Sequence, residues 1–257
     1  MDILRKELNG IYEAQHLERE SLSPEVVADA CDKAGVLVEV NGACAVVTDV
    51  SCDRCYIHTG GFGALMGFAA PEGGCRTVGS SDEDEIYERI HPEDLVEKRM
   101  LEYEFFKTVD PLPPERKTRY KATCRIRMKD RDGVYRNIAN STQVLALSPA
   151  GRIWLVLCCY DLSGVPATGE GIGPQITDNT TGEIIRVATA DGKCQILSSR
   201  EKEILRLIQE GLPSKQIAAR LGISIHTVNR HRQNIIGKLS VGNSVEAVMA
   251  AVAMKLL

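Results

Sequence analysis

The 257-residue chain has little that would point to a membrane, secreted or nucleotide-hydrolysing protein. No apolar run approaches the roughly 20 residues that a membrane-spanning helix needs, and the polar start MDILRKELNGIYEAQ predicts no secretory signal. The nine cysteines are an odd number without framework spacing, as expected of thiols kept reduced. The sequence contains no glycine-rich phosphate loop and no nucleophile beside a base. We therefore expect a cytoplasmic protein that is not an enzyme and does not contact a membrane.

The net charge of −4 is distributed unevenly along the chain. Residues 199–257 contain nine Lys/Arg and four Asp/Glu, a formal +5, whereas residues 1–198 contain twenty-two and thirty-one, a formal −9. A basic segment in an otherwise acidic chain is typical of a nucleic-acid-binding domain. The charge pattern therefore predicts at least two domains, with nucleic acid bound by the C-terminal one.

The last sixty residues predict a helix-turn-helix. A first helix follows an N-cap at Ser198 or Ser199, and a second, short helix covers Ser214–Leu221. Gly222 supplies the tight turn, because a residue without Cβ tolerates the left-handed backbone of such a corner. The third helix then runs to about Leu239.

The third helix has an apolar and a polar face. At about 100° per residue, Val228 and Ile235 lie on the inner face, and Asn229, Arg230 and Gln233 on the outer face. Arginine pairs with guanine and Asn or Gln with adenine in the major groove, while basic and hydroxyl flanks suit phosphates. The alternative is an ordinary three-helix module whose polar face is only solvated. Such a module would not need a short helix, a glycine turn and a basic outer face together. The residues predicted to bind DNA are Ser214, Lys215, Thr227, Asn229, Arg230, Arg232, Gln233, Asn234 and Lys238.

These residues resemble the LuxR-type, or GerE-type, helix-turn-helix domain. The matching segments are LSSREKEIL at 197–205, EGLPSKQIAARLGIS at 210–224, TVNRHRQNIIGKL at 227–239 and SVEAV at 244–248. The resemblance implies that residues 197–257 form an all-α four-helix domain that binds double-stranded DNA and acts with RNA polymerase. It also implies a homodimer contact through the fourth helix, expected at Ser244–Leu257. Asn229 departs from relatives, which often carry a charged residue there, so their target sequence does not transfer. The residues predicted for the dimer contact are Val245, Val248, Met249 and Val252.

The first 165 residues predict an α+β domain. Ser23-Pro24 is an N-cap followed by proline, which predicts a helix to about Ala34 and so assigns residues 1–34 to N-terminal helices. Val36–Val40 and Ala43–Val50 are rich in β-formers and predict two strands. The other predicted elements are helices at Asp84–Arg89 and Pro92–Val109, and strands at Arg119–Lys129, Tyr135–Leu147 and Arg152–Asp161.

This order of elements is similar to that of a PAS domain. Further matches are IHPED at 90–94, RMKDRDGVYRNI at 127–138 and VLCCYDLS at 156–163. The resemblance implies that residues 35–165 form a PAS-like antiparallel sheet domain that senses a small-molecule ligand or a partner. A response-regulator receiver is disfavoured because Asp49 stands alone where an acidic pair is needed. An acyl-homoserine-lactone domain is disfavoured because Trp154 is the only tryptophan. Residues 166–196 are expected to be a linker with a short hairpin.

Two groups of residues raise the question of a metal or a cofactor. Cys52 and Cys55 with His58 supply three ligands, and no second CxxC completes a structural zinc set. His91 could ligate a haem, but its HPED context more often starts a helix. The Asn-Cys-Arg-Phe motif of flavin-binding photosensors is absent. We therefore expect no metal and no coloured cofactor.

The sequence thus predicts a DNA-binding transcriptional regulator whose activity a PAS-like domain modulates. Two other classes stay open. A sigma-factor-like module uses a similar helix-turn-helix, but no aromatic, basic promoter-melting helix precedes it here. An enzyme domain tethered to DNA is the other class, although no residue pattern favours it.

Overall fold

The computed structural model describes residues 3–68, 75–81, 83–165, 171–185, 197–239, 241–253 and 257, the side chains of 3–6, 199, 238, 250 and 253 excepted. The chain divides into a sheet unit, residues 8–187, and a helical unit that includes residues 188–257.

Eight strands, six short or medium α-helices and one 3-10 helix, Leu17–Arg19, are described before residue 186. The helices are α1 (Ile3–Glu13), α2 (Pro24–Asn41), α3 (Gly61–Met66), α4 (Asp84–Tyr87), α5 (Pro92–Val109) and α6 (Pro114–Lys117). The strands are β1 (Cys44–Asp49), β2 (Arg54–Thr59), β3 (Cys75–Val78), β4 (Tyr120–Lys129), β5 (Tyr135–Leu147), β6 (Ile153–Leu162), β7 (Gln175–Asp178) and β8 (Ile184–Ile185).

The described strands form one antiparallel sheet in the order β3-β2-β1-β6-β5-β4-β7-β8. The two N-terminal strands β1 and β2 thus lie beside the three strands β4, β5 and β6, which hairpins connect. In the sequence, the helices α3 to α6 lie between these two groups of strands. This is the arrangement expected of a PAS-like α+β domain, and it confirms the predicted fold class.

The middle of the sheet is covered on both faces, so successive residues of β1 join apolar clusters on opposite faces. Helix α5 covers one face, where Phe105 and Phe106 are at most 1% exposed. Helix α2 covers the other face, where Ala34 packs with Val47 and Trp154. The sheet therefore separates two apolar clusters, and a side chain's position in its strand decides which cluster it joins.

The segment Val36–Val40 is helical, so the prediction of a strand there is wrong. Ala30, Ala34 and Val38 recur every fourth residue on the buried face of α2. Gly42, with a φ of 67°, then ends the helix in the left-handed conformation that glycine accepts at least cost. The β-propensity of the valines is overridden because three residues at helical spacing, Ala30, Ala34 and Val38, pack together against the sheet.

The sheet also contains strands that local patterns did not predict. Strand β2 lies at Arg54–Thr59, a stretch considered above only for its metal ligands. Strand β7 pairs with β4 inside the stretch predicted to be a linker, and Ile172 is only 1% exposed. The backbone carbonyl of Ile172 accepts from Arg125 N at 2.8 Å. Most of the predicted hairpin, Glu183–Thr189 and Lys193–Leu197, falls in residues 186–196, outside the described residues.

The helical unit contains α7 (Ser199–Gln209), α8 (Ser214–Leu221), α9 (Ile225–Lys238) and α10 (Ser244–Ala253). The four predicted helices are confirmed, with the fourth described as far as Ala253. Their shared core is formed by Leu197, Ile204, Leu205, Leu207, Ile217, Ala218, Val228, Ile235, Ala247 and Ala251. A search of the described helices finds none that combines the length and the apolar character required to cross a membrane.

Candidate DNA-binding site

Local signals set the geometry of α8 and α9. The N-cap Ser198 and Glu201 bond reciprocally at the start of α7, at 3.2 and 2.7 Å, which fixes that supporting helix. Gly222 ends α8 with a φ of 64°, so the chain turns sharply before α9. Ser224 Oγ accepts from Thr227 N at 3.0 Å and caps α9. The result is a short helix, a glycine turn and a longer helix at fixed relative positions.

Helix α9 presents a polar face to solvent. Val228 and Ile235 are 0% and 1% exposed and join the core, whereas Asn229, Arg230 and Gln233 are exposed. The angular interpretation of the sequence is therefore confirmed for this helix. Amide and guanidinium groups on an exposed helix face are able to reach base edges in the major groove.

The flanking candidates differ in exposure. Lys215 and Asn234 are exposed, whereas Ser214 and Thr227 are half-buried. Thr227 Oγ1 shares a hydrogen bond with Ser224 Oγ at 2.8 Å, so its hydroxyl belongs to the cap of α9. Lys238 ends α9, and its side chain lies outside the described residues.

Arg232 has an internal role that the helix angle did not reveal. Its Nε donates to Ser244 Oγ at 3.1 Å, and its Nη1 donates to Ser214 Oγ at 3.0 Å. These serines are the first residues of α10 and α8. One guanidinium thus joins three helices. Sequence reasoning missed this because the contacts connect residues twelve and eighteen positions apart.

Ion pairs leave the α9 face positive. Arg200 pairs with Glu203 at 2.7 Å, and Arg220 pairs with Glu210 at 3.1 Å. Within the part of the chain that the structure describes, Arg230 forms no such pair. Glu203 and Glu210 therefore pair with other arginines, and the charge of Arg230 remains available to an anionic partner.

Helix α10 has an exposed apolar face. Val245 and Met249 are 69% and 68% exposed, and Val252 is 49% exposed. Val248 is half-buried and packs against the core together with the buried Ala247. Three of the four predicted dimer residues thus share an outward face, while Val248 lies at its inner edge.

Residues 195–251 match the family described as bacterial regulatory proteins, luxR family. The helical unit is a LuxR-type helix-turn-helix domain. The chain is 36% identical over 91 residues to the oxygen regulatory protein NreC of Staphylococcus carnosus, which covers 34% of this chain and 42% of that protein. It is 40% identical over 62 residues to the transcriptional regulatory protein UhpA of Escherichia coli strain K12, which covers 24% and 32%.

The chain spans less than half the length of these curated relatives, and the matches relate it to LuxR-type transcriptional regulators. A solved structure of the Vibrio cholerae VqmA dimer, a LuxR-type receptor, is similar over more of the chain. It is 17% identical, covers 90% of this chain and 88% of that one, and has a TM-score of 0.30.

The interior of the PAS-like domain contains a buried polar cluster, which we define as Glu83, Tyr87, Lys98, Glu102 and Tyr160. Lys98 Nζ bonds to a carboxylate oxygen of Glu102 and lies 3.3 Å from the hydroxyl of Tyr87. That hydroxyl also donates to Glu102 at 3.2 Å, and the hydroxyl of Tyr160 donates to Glu83. All three charged residues are at most 4% exposed. Charged side chains are almost never so deeply buried unless they are paired.

The surroundings shift the proton affinities of this buried polar cluster. Burial raises the pKa of Glu83, because the charged form loses its hydration. Burial alone would lower the pKa of Lys98, but the nearby Glu102 and Glu83 carboxylates outweigh it and raise that pKa. Burial raises the pKa of Tyr160 well above its ordinary value. One ammonium therefore faces two carboxyl groups, and the raised pKa of Glu83 favours its protonated form.

The cysteine and histidine candidates do not form a shared site. Cys52 is exposed in the turn before β2. Cys55 and His58 are three positions apart in β2, which places them on opposite faces of the sheet. His58 is 4% exposed, burial lowers its pKa, and its Nε2 has no hydrogen-bond partner among the described residues.

His91 caps α5, as its sequence context predicts. Its Nδ1 accepts from Glu93 N at 3.4 Å. His91, Glu93 and Asp94 form the one compact group of metal-binding type found among the described residues. Arg127 bonds to both carboxylates, at 3.1 Å to Glu93 and at 2.5 and 3.0 Å to Asp94. The Arg127 guanidinium therefore balances the negative charge of the Glu93 and Asp94 carboxylates.

Proposed function

We propose that the chain is a transcriptional regulator whose LuxR-type domain reads a specific DNA sequence as a homodimer. The observation that carries this proposal is the two-sided helix α9, in which Val228 and Ile235 are buried while Asn229, Arg230 and Gln233 face outward. A recognition helix of this kind enters the major groove and contacts base edges through its outward side chains.

The exposed side chains of α8 and α9 are suited to different parts of the DNA. Arg230 is suited to bidentate pairing with guanine, and Asn229 and Gln233 to adenine. Lys215, exposed at the start of α8, is suited to a phosphate, which positions the domain without specifying sequence. Arg232 on α9 bonds to the first residues of α8 and α10. In this proposal it contributes to DNA binding by fixing the relative positions of these three helices.

The apolar face of α10 supports the homodimer. Exposed Val245, Met249 and Val252 would be covered by the same helix of a second copy, in a two-fold contact. A single small domain reads few base pairs, so two half-sites about one helical turn apart provide useful affinity.

We also propose that a signal acting on the PAS-like domain modulates DNA binding. The buried polar cluster supports this, because a purely apolar interior would be cheaper to fold than one that contains Lys98, Glu83 and Glu102. Perturbed ionisable groups collect at functional sites more often than elsewhere. A small polar molecule is the kind of signal that such an interior suits.

Selection of duplexes from a random library by the full chain tests the DNA-binding proposal. We expect enrichment of a motif with two related half-sites, and binding that weakens as salt rises because phosphates release counterions. Recovery of no enriched motif, with equal affinity for every duplex, would contradict sequence-specific regulation by this domain.

A further inference from the structure

An aliphatic side chain stands exposed at the start of the recognition helix. Ile225 is the first residue of α9, directly after the cap Ser224, and it is 46% exposed. Of the other large aliphatic residues of α9, Val228 and Ile235 are buried and Ile236 is half-buried. Ile225 therefore contributes little to the core and is accessible to a bound partner.

Ile225 continues the stripe that reads DNA. It precedes Asn229 by four residues, and Asn229 precedes Gln233 by four, so the three lie near one side of the helix. All three are exposed. With a rise of 1.5 Å per residue, the stripe extends over about 12 Å from an aliphatic group to two amides.

The chemistry of the major groove offers one apolar group for such a side chain. Every base edge there presents hydrogen-bond donors or acceptors, and only thymine adds a methyl group at C5. Isoleucine has no polar atom beyond its backbone, so it gains nothing at a donor or acceptor. The N-terminal residues of a recognition helix are those that contact base edges. An aliphatic residue at this position thus matches thymine.

We propose that Ile225 is a specificity-determining residue that packs against the C5-methyl group of a thymine in each half-site. The inference rests on the proposed function and identifies one further base of the half-site. The half-site would contain a thymine opposite Ile225 and an adenine opposite Asn229, with guanine read by Arg230.

Removing a single methyl group from the DNA tests this directly. Each thymine of the selected duplex is replaced in turn by deoxyuridine, which leaves base pairing intact, and the affinity of the full chain is measured by fluorescence anisotropy. We expect the parent protein to lose about fourfold affinity per half-site at one position, the loss of one buried methyl group. Ile225→Ala should bind the thymine and uracil duplexes equally at that position, and Ile225→Val should keep part of the difference.

Val134→Ala is the matched control, since Val134 is an aliphatic residue of the sheet unit with a similar exposure of 50%. It should show the same uracil dependence as the parent protein. If Ile225→Ala loses as much affinity as the parent at every uracil position, Ile225 does not read thymine and the inference is overturned. The selected motif would still support the proposed function in that case. Failure to select any motif would contradict the proposed function itself.

Discussion

Replacing Lys98 with methionine would remove the buried ammonium that two carboxyl groups face in the interior of the PAS-like domain. The Lys98 side chain is fully buried, and that of Glu102 is only 5% exposed. Methionine preserves most of the length of the aliphatic stem, so the change removes the ammonium and little packing. Glu102 would keep the Tyr87 hydroxyl, at 3.2 Å, and the electrostatic influence of Arg99, and Glu83 would keep the Tyr160 hydroxyl and the Cys158 thiol.

The expected loss is large because a buried charge would remain uncompensated. Removing one partner of a buried ion pair costs about 3–5 kcal/mol of unfolding free energy. For a domain of this size, each kcal/mol lowers Tm by about 2–4 °C, which gives a decrease of roughly 6–20 °C. Replacing both partners, as in Lys98→Met with Glu102→Leu, should restore at least about 2 kcal/mol, since an apolar pair of similar volume does not need compensation.

Fluorescence of Trp154 during urea unfolding measures this loss in the full chain. Trp154 is the only tryptophan and is 3% exposed in the sheet unit, so it reports the unfolding of that unit. Lys33→Met is the control, because Lys33 pairs with Asp29 at the same four-residue spacing but both side chains are exposed. A loss below about 1 kcal/mol for Lys98→Met, or a double variant no more stable than the single one, would refute the argument.

Three further predictions concern other parts of the molecule. Val245→Glu combined with Met249→Glu should abolish cooperative binding to a duplex with two half-sites in gel shifts and leave helicity unchanged by circular dichroism; full-site affinity equal to the parent's would move the dimer contact elsewhere. Lys215→Ala should weaken binding to all sequences and lower the salt slope by about one per protomer; an unchanged slope would exclude a phosphate contact. Because burial raises the pKa of Glu83, the folded state keeps a proton that the unfolded state releases above about pH 4.3, so stability falls as pH rises from there through the raised pKa. Glu83→Gln should flatten that fall when Trp154 fluorescence is followed, and equal slopes would count against it.

The helix-turn-helix could be predicted because its signals are local. The cap at Ser224, the glycine at 222 and the spacing of Val228 and Ile235 each act within a few residues. A helix angle is therefore enough to separate Asn229 and Arg230 from the core side. The pairing of Arg232 with two serines was not predictable in this way, since it depends on how three helices pack.

The sheet unit shows where local patterns fail. The valines of Val36–Val40 have high β-propensity, yet the spacing of Ala34 and Val38 on the buried face of α2 decides the structure. Strand β7 could not be predicted, because Gln175–Asp178 becomes a strand only by pairing with β4, some fifty residues earlier.

The buried polar cluster was also hidden from the sequence. Lys98 and Glu102 are four residues apart on a helix, the spacing that is typical of an exposed ion pair. Only the packing of α5 against the sheet buries them, and Tyr160 comes from a strand more than fifty residues later. The burial of Lys98 and Glu102 therefore depends on long-range packing, which leaves no local signal in the sequence.

The affinity ratio between the selected duplex and a scrambled duplex, measured for the parent protein and for Arg230→Ala, tests the central claim most directly. Since Arg230 is exposed on the reading face of α9, the variant should lose about 1–3 kcal/mol on the selected duplex, or about 5-fold to 150-fold, and almost nothing on the scrambled one. An equal loss on both duplexes, or a parent protein that binds both equally well, would contradict the claim that this helix reads sequence.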